Sequence, residues 1–450
     1  MKDSIDFGSM DIPKLFRKLL IPTVLGMIFS AIFIITDGIF VGKGIGSDAL
    51  AAVNITAPLF LINTGVALMF GIGASVVASI HLSQGKVKVA RINITQAVVV
   101  SSLLLIAYAA IILCNVEKIA LLLGSSPRLL PLAVEYMHWF VPFLVFSALL
   151  SSGMFFVRLD GSPNYAMVCN IIPALLNIGL DYLFIGVMGL DAVGAALGTT
   201  IAQAVSVIVS LTVIIKKGTG IKLRRSDLRP KRHTMKNILK VGVPVALQDG
   251  FIQISFIAIT IFANQRGLND AAAVGIVEKI IGILFLVPSS MLSTISALAS
   301  QNIGAGKHDR ARLTLRYVLY MTVGYGLAAA TIVQFLSVPF VGLFTNDGAV
   351  QILGGQYLRS YAWDCVFAGV HFCLSGYFYA YGLSIVSFIH NSISIVCARI
   401  PLSYYAATHF PDTLFPMGCA SPAGSMVSIV ICVGVFVWMN KHTEKYMERT

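Results

Sequence analysis

The chain has 450 residues, of which 57% are hydrophobic and 12% charged, with a mean hydropathy of +0.85; a soluble globular chain carries about twice that share of charge. A surface so poor in polar side chains excludes an ordinary water-soluble enzyme and requires lipid as solvent. The net charge of +12 would suggest a nucleic-acid partner in a soluble chain, but here its position along the sequence decides, and it argues for topology instead.

Apolar windows of about 19 residues predict twelve helices, at roughly 15–41, 52–80, 94–114, 132–156, 164–187, 193–215, 241–264, 271–299, 316–337, 356–381, 384–408 and 417–439. The first is preceded by charges of both signs and followed by no small-residue cleavage site, so it reads as a retained span and not a signal peptide. Lys and Arg concentrate in both tails and in the even-to-odd connections, for example Lys14, Arg17 and Lys18, then Lys86, Lys88 and Arg91, then Lys307, Arg310, Arg312 and Arg316. The opposite side holds Lys43, Lys118, Arg128 and Arg266. By the positive-inside rule both termini lie on the cytoplasmic side of a cytoplasmic (inner) membrane, as an even number of spans requires.

The strongest composition shift falls between the sixth and seventh spans, where Lys216, Lys217, Lys222, Arg224, Arg225, Arg229, Lys231, Arg232, Lys236 and Lys240 cluster. This divides the chain into an N-terminal six-helix lobe at 1–215, a basic cytoplasmic linker at 216–240 that lies near anionic headgroups, and a C-terminal six-helix lobe at 241–450. An offset of 221 residues pairs Gly85, Lys86, Ala90 and Arg91 with Gly306, Lys307, Ala311 and Arg312; it also pairs Gly46 with Gly267, Gly161 with Gly382 and Asn170 with Asn391. Pro22 and Pro244 match at an offset one residue larger. The fold class is therefore an all-α membrane protein of twelve transmembrane helices, in two lobes related as parallel repeats. That is a carrier architecture, with its substrate site between repeats.

A charged side chain in the bilayer centre costs at least about 2.5 kcal/mol, so each acid there must be paired, protonated or facing water. Asp37 lies deep in the first span with no basic residue one turn away; it either serves an ion or bonds a neighbouring helix. Asn177 and Asp181 stand at i and i+4 and so share one face of the fifth helix, able to hold one cation or share one proton. Pro22 precedes Asp37 by about four turns and permits a helix bend. In the second half, Glu278 is a counter-charge for a cationic substrate or the partner of a basic group such as Arg399. Gln248 and Asp249, close to the basic loop, read as interfacial.

The run from Asp37-Gly38-Ile39-Phe40-Val41-Gly42 to Ala51-Ala52 resembles the first-helix signature of the multidrug and toxic compound extrusion (MATE) transporters. Asn177 to Tyr182 followed by Gly194 to Thr199 resembles the family's fifth and sixth helices, and Gln301 to Gly306 its eighth. The resemblance implies a carrier that exports organic, often cationic, compounds in exchange for inward H⁺ or Na⁺ by alternating access. It implies that Asp37 is the first-helix acid, that Thr199 supplies a hydroxyl beside Asn177 and Asp181, and that the helix at Pro22 bends when the acid changes protonation. Some members carry a Tyr one turn before the acid, where this chain has Phe33. Asp364 precedes Gly376 by the spacing found in Na⁺-coupled members, yet the helix-seven stretch from Phe251 to Phe262 has no acid, so Asp364 is expected to contribute less.

The eight histidines are scattered without a HExxH motif, and the seven cysteines lie in apolar segments without a CxxC pair, so neither an intramembrane enzyme, a disulfide framework nor a zinc site is expected. The expectation is a monomeric carrier that uses no cofactor beyond H⁺ or Na⁺ and holds no metal other than Na⁺ at the coupling site. Its partners are small organic molecules and lipids, not nucleic acid. The alternative is a lipid-linked saccharide flippase, which calls for a strongly basic cavity; Arg399 is the main candidate for one.

Overall fold

The computed structural model describes residues 10–44, 52–217 and 231–442, and all regular structure among them is helical. Twelve spans follow in the expected order: α1 (Ile12–Gly44), α2 (Ala57–Ser83), α3 (Val87–Cys114), α4 (Leu130–Leu159), α5 (Pro163–Val187), α6 (Asp191–Lys217), α7 (Arg232–Arg266), α8 (Leu268–Gly304), α9 (His308–Gly342), α10 (Gly348–Tyr361 and Asp364–Ala380), α11 (Ser384–His409) and α12 (Phe415–Lys441). Several helices outrun the apolar windows. The seventh begins at Arg232, not 241, because an α-helix satisfies its own backbone and can run on past the hydrocarbon into polar sequence. Eleven spans are long and apolar enough to cross a membrane by length and composition alone; α8 is interrupted at Phe285, α12 at Cys419 and α10 at Ala362 and Trp363, just ahead of Asp364. Residues 45–51 of the first-helix signature and residues 218–230 of the basic linker lie outside the described residues.

The repeat rests on backbone geometry. Gly85 and Gly306 adopt φ of 74° and 73°, and Gly161 and Gly382 adopt 79° and 70°, a left-handed conformation that a Cβ disfavours. Each ends a helix in the same way: the N–H two positions past the last turn reaches back, Lys86 to the His81 carbonyl at 2.8 Å, Lys307 to Asn302 at 2.8 Å, Ser162 to Val157 at 3.2 Å and Leu383 to Phe378 at 2.9 Å. This is the Schellman termination, and it explains why glycine recurs at these offsets.

By packing the described residues form two compact units, one lying between 21 and 246 and the other made of those before 21 together with those from 247 onward. The start of α1 thus packs within the second unit and the start of α7 within the first. In the second unit Phe16 meets Tyr317 edge-on at 5.5 Å. In the first, Gly73 faces the Ile238 carbonyl, 2.6 Å from where a Cβ would lie. Pro22 lies inside the continuous helix α1, just after the chain passes from one unit's packing to the other's. The core of the first unit is aromatic: Phe143 stacks on Phe33, Phe60 and Phe140 at 6.4, 6.1 and 5.1 Å. That of the second gathers Val274, Val277, Ile281, Val341, Tyr357 and Leu358. Large apolar side chains remain outside, such as Phe335 at 78% exposure, as expected of helices solvated by lipid.

Proline and arginine show how backbone groups that the helices leave unpaired are satisfied. Pro288 in α8 has no N–H for the Leu284 carbonyl, and the Tyr325 hydroxyl of α9 donates to that oxygen at 2.8 Å. Arg266, one of the few basic residues on its side, donates to Asp270 at 2.8 Å and to the carbonyls of Ala407, Phe410, Pro411 and Thr413. Its guanidinium closes the turn between α11 and α12.

Tyr325→Phe should lower stability by about 1–3 kcal/mol, the cost of an unpaired buried acceptor. In a Pro288→Ala background, where the restored N–H can serve Leu284, the same change should cost much less. Thermal unfolding of the purified protein reads both, and equal losses would refute the assignment.

Candidate ion and ligand sites

Four predicted residues meet in the first unit. Asp37 comes from α1, Asn177 and Asp181 from α5, and Thr199 from α6. Thr199 Oγ1 donates to Asp37 Oδ1 at 3.0 Å, and Asn177 Nδ2 donates to Thr199 Oγ1 at 3.3 Å and to Asp181 Oδ1 at 3.1 Å. Asn177 and Asp181 are fully buried, and Thr199 is 5% exposed. One hydroxyl and one amide have only three protons to give, and all three are used. Asn177 Oδ1 and Asp181 Oδ2 are left buried and unpaired. The cluster therefore lacks donors and keeps acceptors, and what it can take up is a proton or a cation.

Local sequence builds this contact. A Cβ on Gly198 would stand 2.5 Å from Asp181 Oδ1, so any larger residue would push the carboxylate out of this position. The backbone changes from α to π immediately after Asp181, over Tyr182–Val187, a distortion often found at functional sites. Phe33 packs on Phe143 in the aromatic core, so this position supplies no side-chain oxygen ligand.

In the second unit Glu278, Asp364 and Arg399 line one cavity of about 520 Å³. Glu278 and Arg399 make no ion pair, and among the described residues no carboxylate pairs with Arg399. Its Nη2 donates to the Tyr361 hydroxyl at 2.6 Å. The guanidinium carbon lies 4.8 Å from the Phe256 ring centroid and 5.8 Å from that of Tyr361. Asp364 is 2% exposed, and its Oδ1, with Glu278 Oε1 and Arg399 Nε, has no partner. Arg399 ends a π segment, Ile395–Arg399, two residues before Pro401.

Two residues read as interfacial are placed elsewhere. Gln248 is 3% exposed and accepts from the Tyr379 hydroxyl at 2.7 Å, and Asp249 lines the cavity. His371 was not singled out; it is 4% exposed, lines the same cavity and leaves Nδ1 unpaired. A signal existed: Tyr361, Asp364, Ala368 and His371 follow i, i+3, i+7, i+10 spacing, one face of α10.

A family model described as MatE matches the chain twice, over residues 22–183 and 244–405, together well over half of it. The chain is 24% identical to a FAD transporter of Shewanella oneidensis, over 96% of each protein. It is 21% identical to a probable multidrug resistance protein of Bacillus subtilis, over 97% of each. A crystal structure of MATE in complex with MaL6 is similar in fold, with a TM-score of 0.92, 21% identity and 100% coverage of both chains.

Thr199→Val should strand Asp37 Oδ1 and Asn177 Nδ2 and cost about 1–3 kcal/mol, whereas Thr199→Ser should retain most of the stability. Comparable melting temperatures for the two variants would show that the hydroxyl does not bridge the acids.

Proposed function

The chain belongs to the MATE (multidrug and toxic compound extrusion) family of transporters, and on that premise we propose that it is a secondary antiporter exporting organic molecules in exchange for inward H⁺ or Na⁺. The observation that carries this reading is the Asp37, Asn177, Asp181 and Thr199 cluster, whose donors are all spent and whose two remaining oxygens are open. An ion loaded there from outside and released inside supplies the differential affinity that an exchanger requires. Alternating access then runs between an N-terminal lobe at 1–215 and a C-terminal lobe at 241–450, joined by the basic linker. Both termini are cytoplasmic and the carrier works as a monomer. Pro22, inside α1 and about four turns before Asp37, is the bend through which ion binding acts on the helix.

Asp364 stands apart from coupling on this reading because a basic residue, Arg399, lines its cavity, even though Asp249 of α7 lines it too. The flippase alternative is less well supported, since Asp249, Glu278 and Asp364 line the same cavity as Lys279 and Arg399. A cavity of that charge does not favour a polyanionic headgroup.

Uptake of a fluorescent organic cation into inverted vesicles, driven separately by a pH and a Na⁺ gradient, tests the antiporter; dependence on neither would exclude it. Asp181→Asn should abolish gradient-driven uptake, and adding Asn177→Ala should cost less than about twofold more, since residues of one site are not additive. Losses that simply multiply would break the shared site. At matched expression Asp37→Asn should insert but fail to concentrate cargo, while Asp364→Asn retains partial transport. The reverse order would move coupling to the second unit.

A further inference from the structure

We propose that the cavity within the second unit is a binding site for planar ampholytes, organic molecules that carry an anionic group together with at least one N–H or O–H donor. Three charged side chains of opposite hydrogen-bonding sense line this one space, and each keeps a buried atom without a partner: Arg399 can only donate, whereas Glu278 and Asp364, as carboxylates, accept. They do not satisfy one another, because no carboxylate of the described residues pairs with Arg399. A simple cation would serve the acids and leave the guanidinium stranded, and a simple anion would do the opposite. Only a ligand bearing both groups pairs all three.

The walls state the rest of the ligand. Phe256, Phe285, Tyr361 and Phe372 line the space, with Phe285 and Phe372 edge-to-face at 6.1 Å, so its apolar boundary is made of aromatic rings that favour a flat π-system. Arg399 lies against the rings of Phe256 and Tyr361 and is tethered by one nitrogen to the Tyr361 hydroxyl, while its Nε keeps no partner. A volume of about 520 Å³ lies within the ordinary range for small-molecule sites. Asp364 and His371, at 2% and 4% exposure, line it and each carry a buried polar atom without a partner. Gly424 brings α12 close to this arginine, with a Cβ there only 3.2 Å from Arg399 Cβ. The site belongs wholly to the second unit and does not depend on ion coupling in the first.

Rhodamine 110 and its methyl ester, rhodamine 123, share a xanthene ring and two amino groups, and only the former has a free carboxylate. Their equilibrium binding to the full-length protein in lipid nanodiscs, read by fluorescence polarisation without any gradient, isolates the contribution of the anion. The wild-type protein should prefer rhodamine 110 by about tenfold or more, the worth of one charged hydrogen bond. Arg399→Gln should erase that preference, and Arg399→Lys should keep part of it, since the charge stays and the planar fork is lost. Asp364→Asn and Glu278→Gln should weaken both dyes alike, because both dyes present the amino donors. Equal or tighter binding of the ester by the wild-type protein would overturn the proposal, as would a preference that survives Arg399→Gln. The wild-type comparison decides even where a variant does not fold. Loss of gradient-driven export with the dye preference intact would count against the coupling scheme and not against this site.

Discussion

In hydrocarbon a polar group finds no water, and the structure follows from where each such group finds its partner. Most are settled by helices. The exceptions are settled one at a time: the Tyr325 hydroxyl takes the carbonyl freed by Pro288, and Arg266 spreads its donors over four carbonyls and Asp270. Glycines at 85, 161, 306 and 382 let helix ends turn back on their own carbonyls. Against that background the few buried polar atoms left without partners are the informative ones, because leaving each unpaired costs roughly 1–3 kcal/mol.

Six of them, on carboxylate, amide, imidazole and guanidinium groups, fall in two places of opposite character. In the first unit the unpaired atoms of the Asp37 cluster are acceptors, Asn177 Oδ1 and Asp181 Oδ2, after a short chain of donated hydrogen bonds has consumed every proton. In the second, the donor and the acceptors belong to residues that line one cavity together. Duplication supplied the same helical framework twice, and the side chains on it have diverged. Both sites adjoin a π segment, at Tyr182–Val187 in α5 and Ile395–Arg399 in α11. The two segments are not at equivalent positions of the repeat, so each distortion serves its own unit.

Close approach carries these sites as much as charge does. Gly198 admits Asp181 to α6 and Gly424 admits Arg399 to α12, and in both places a single methyl group would crowd the charged residue's side chain. Phe33 has the complementary effect: by packing on Phe143 it completes an aromatic core where a hydroxyl would have extended the ligand set.

Apolar windows, basic connections and a 221-residue offset were enough to read twelve helices and a repeat, because lipid allows few backbone solutions and each span has the length of the bilayer. The i, i+4 spacing was likewise enough to put Asn177 and Asp181 on one face, since helical geometry is local. The helix ends were read short, as hydropathy stops where the hydrocarbon stops and the helix does not. What joins Asp37 to Thr199 across 162 residues, sets Arg399 and Glu278 around one cavity without an ion pair, and brings Asp249 and His371 to the same cavity is the packing of one helix on another. Those contacts depend on side-chain shape at each crossing, and no local spacing encodes them. The tertiary structure alone decided which buried charges are satisfied and which are left open for a ligand.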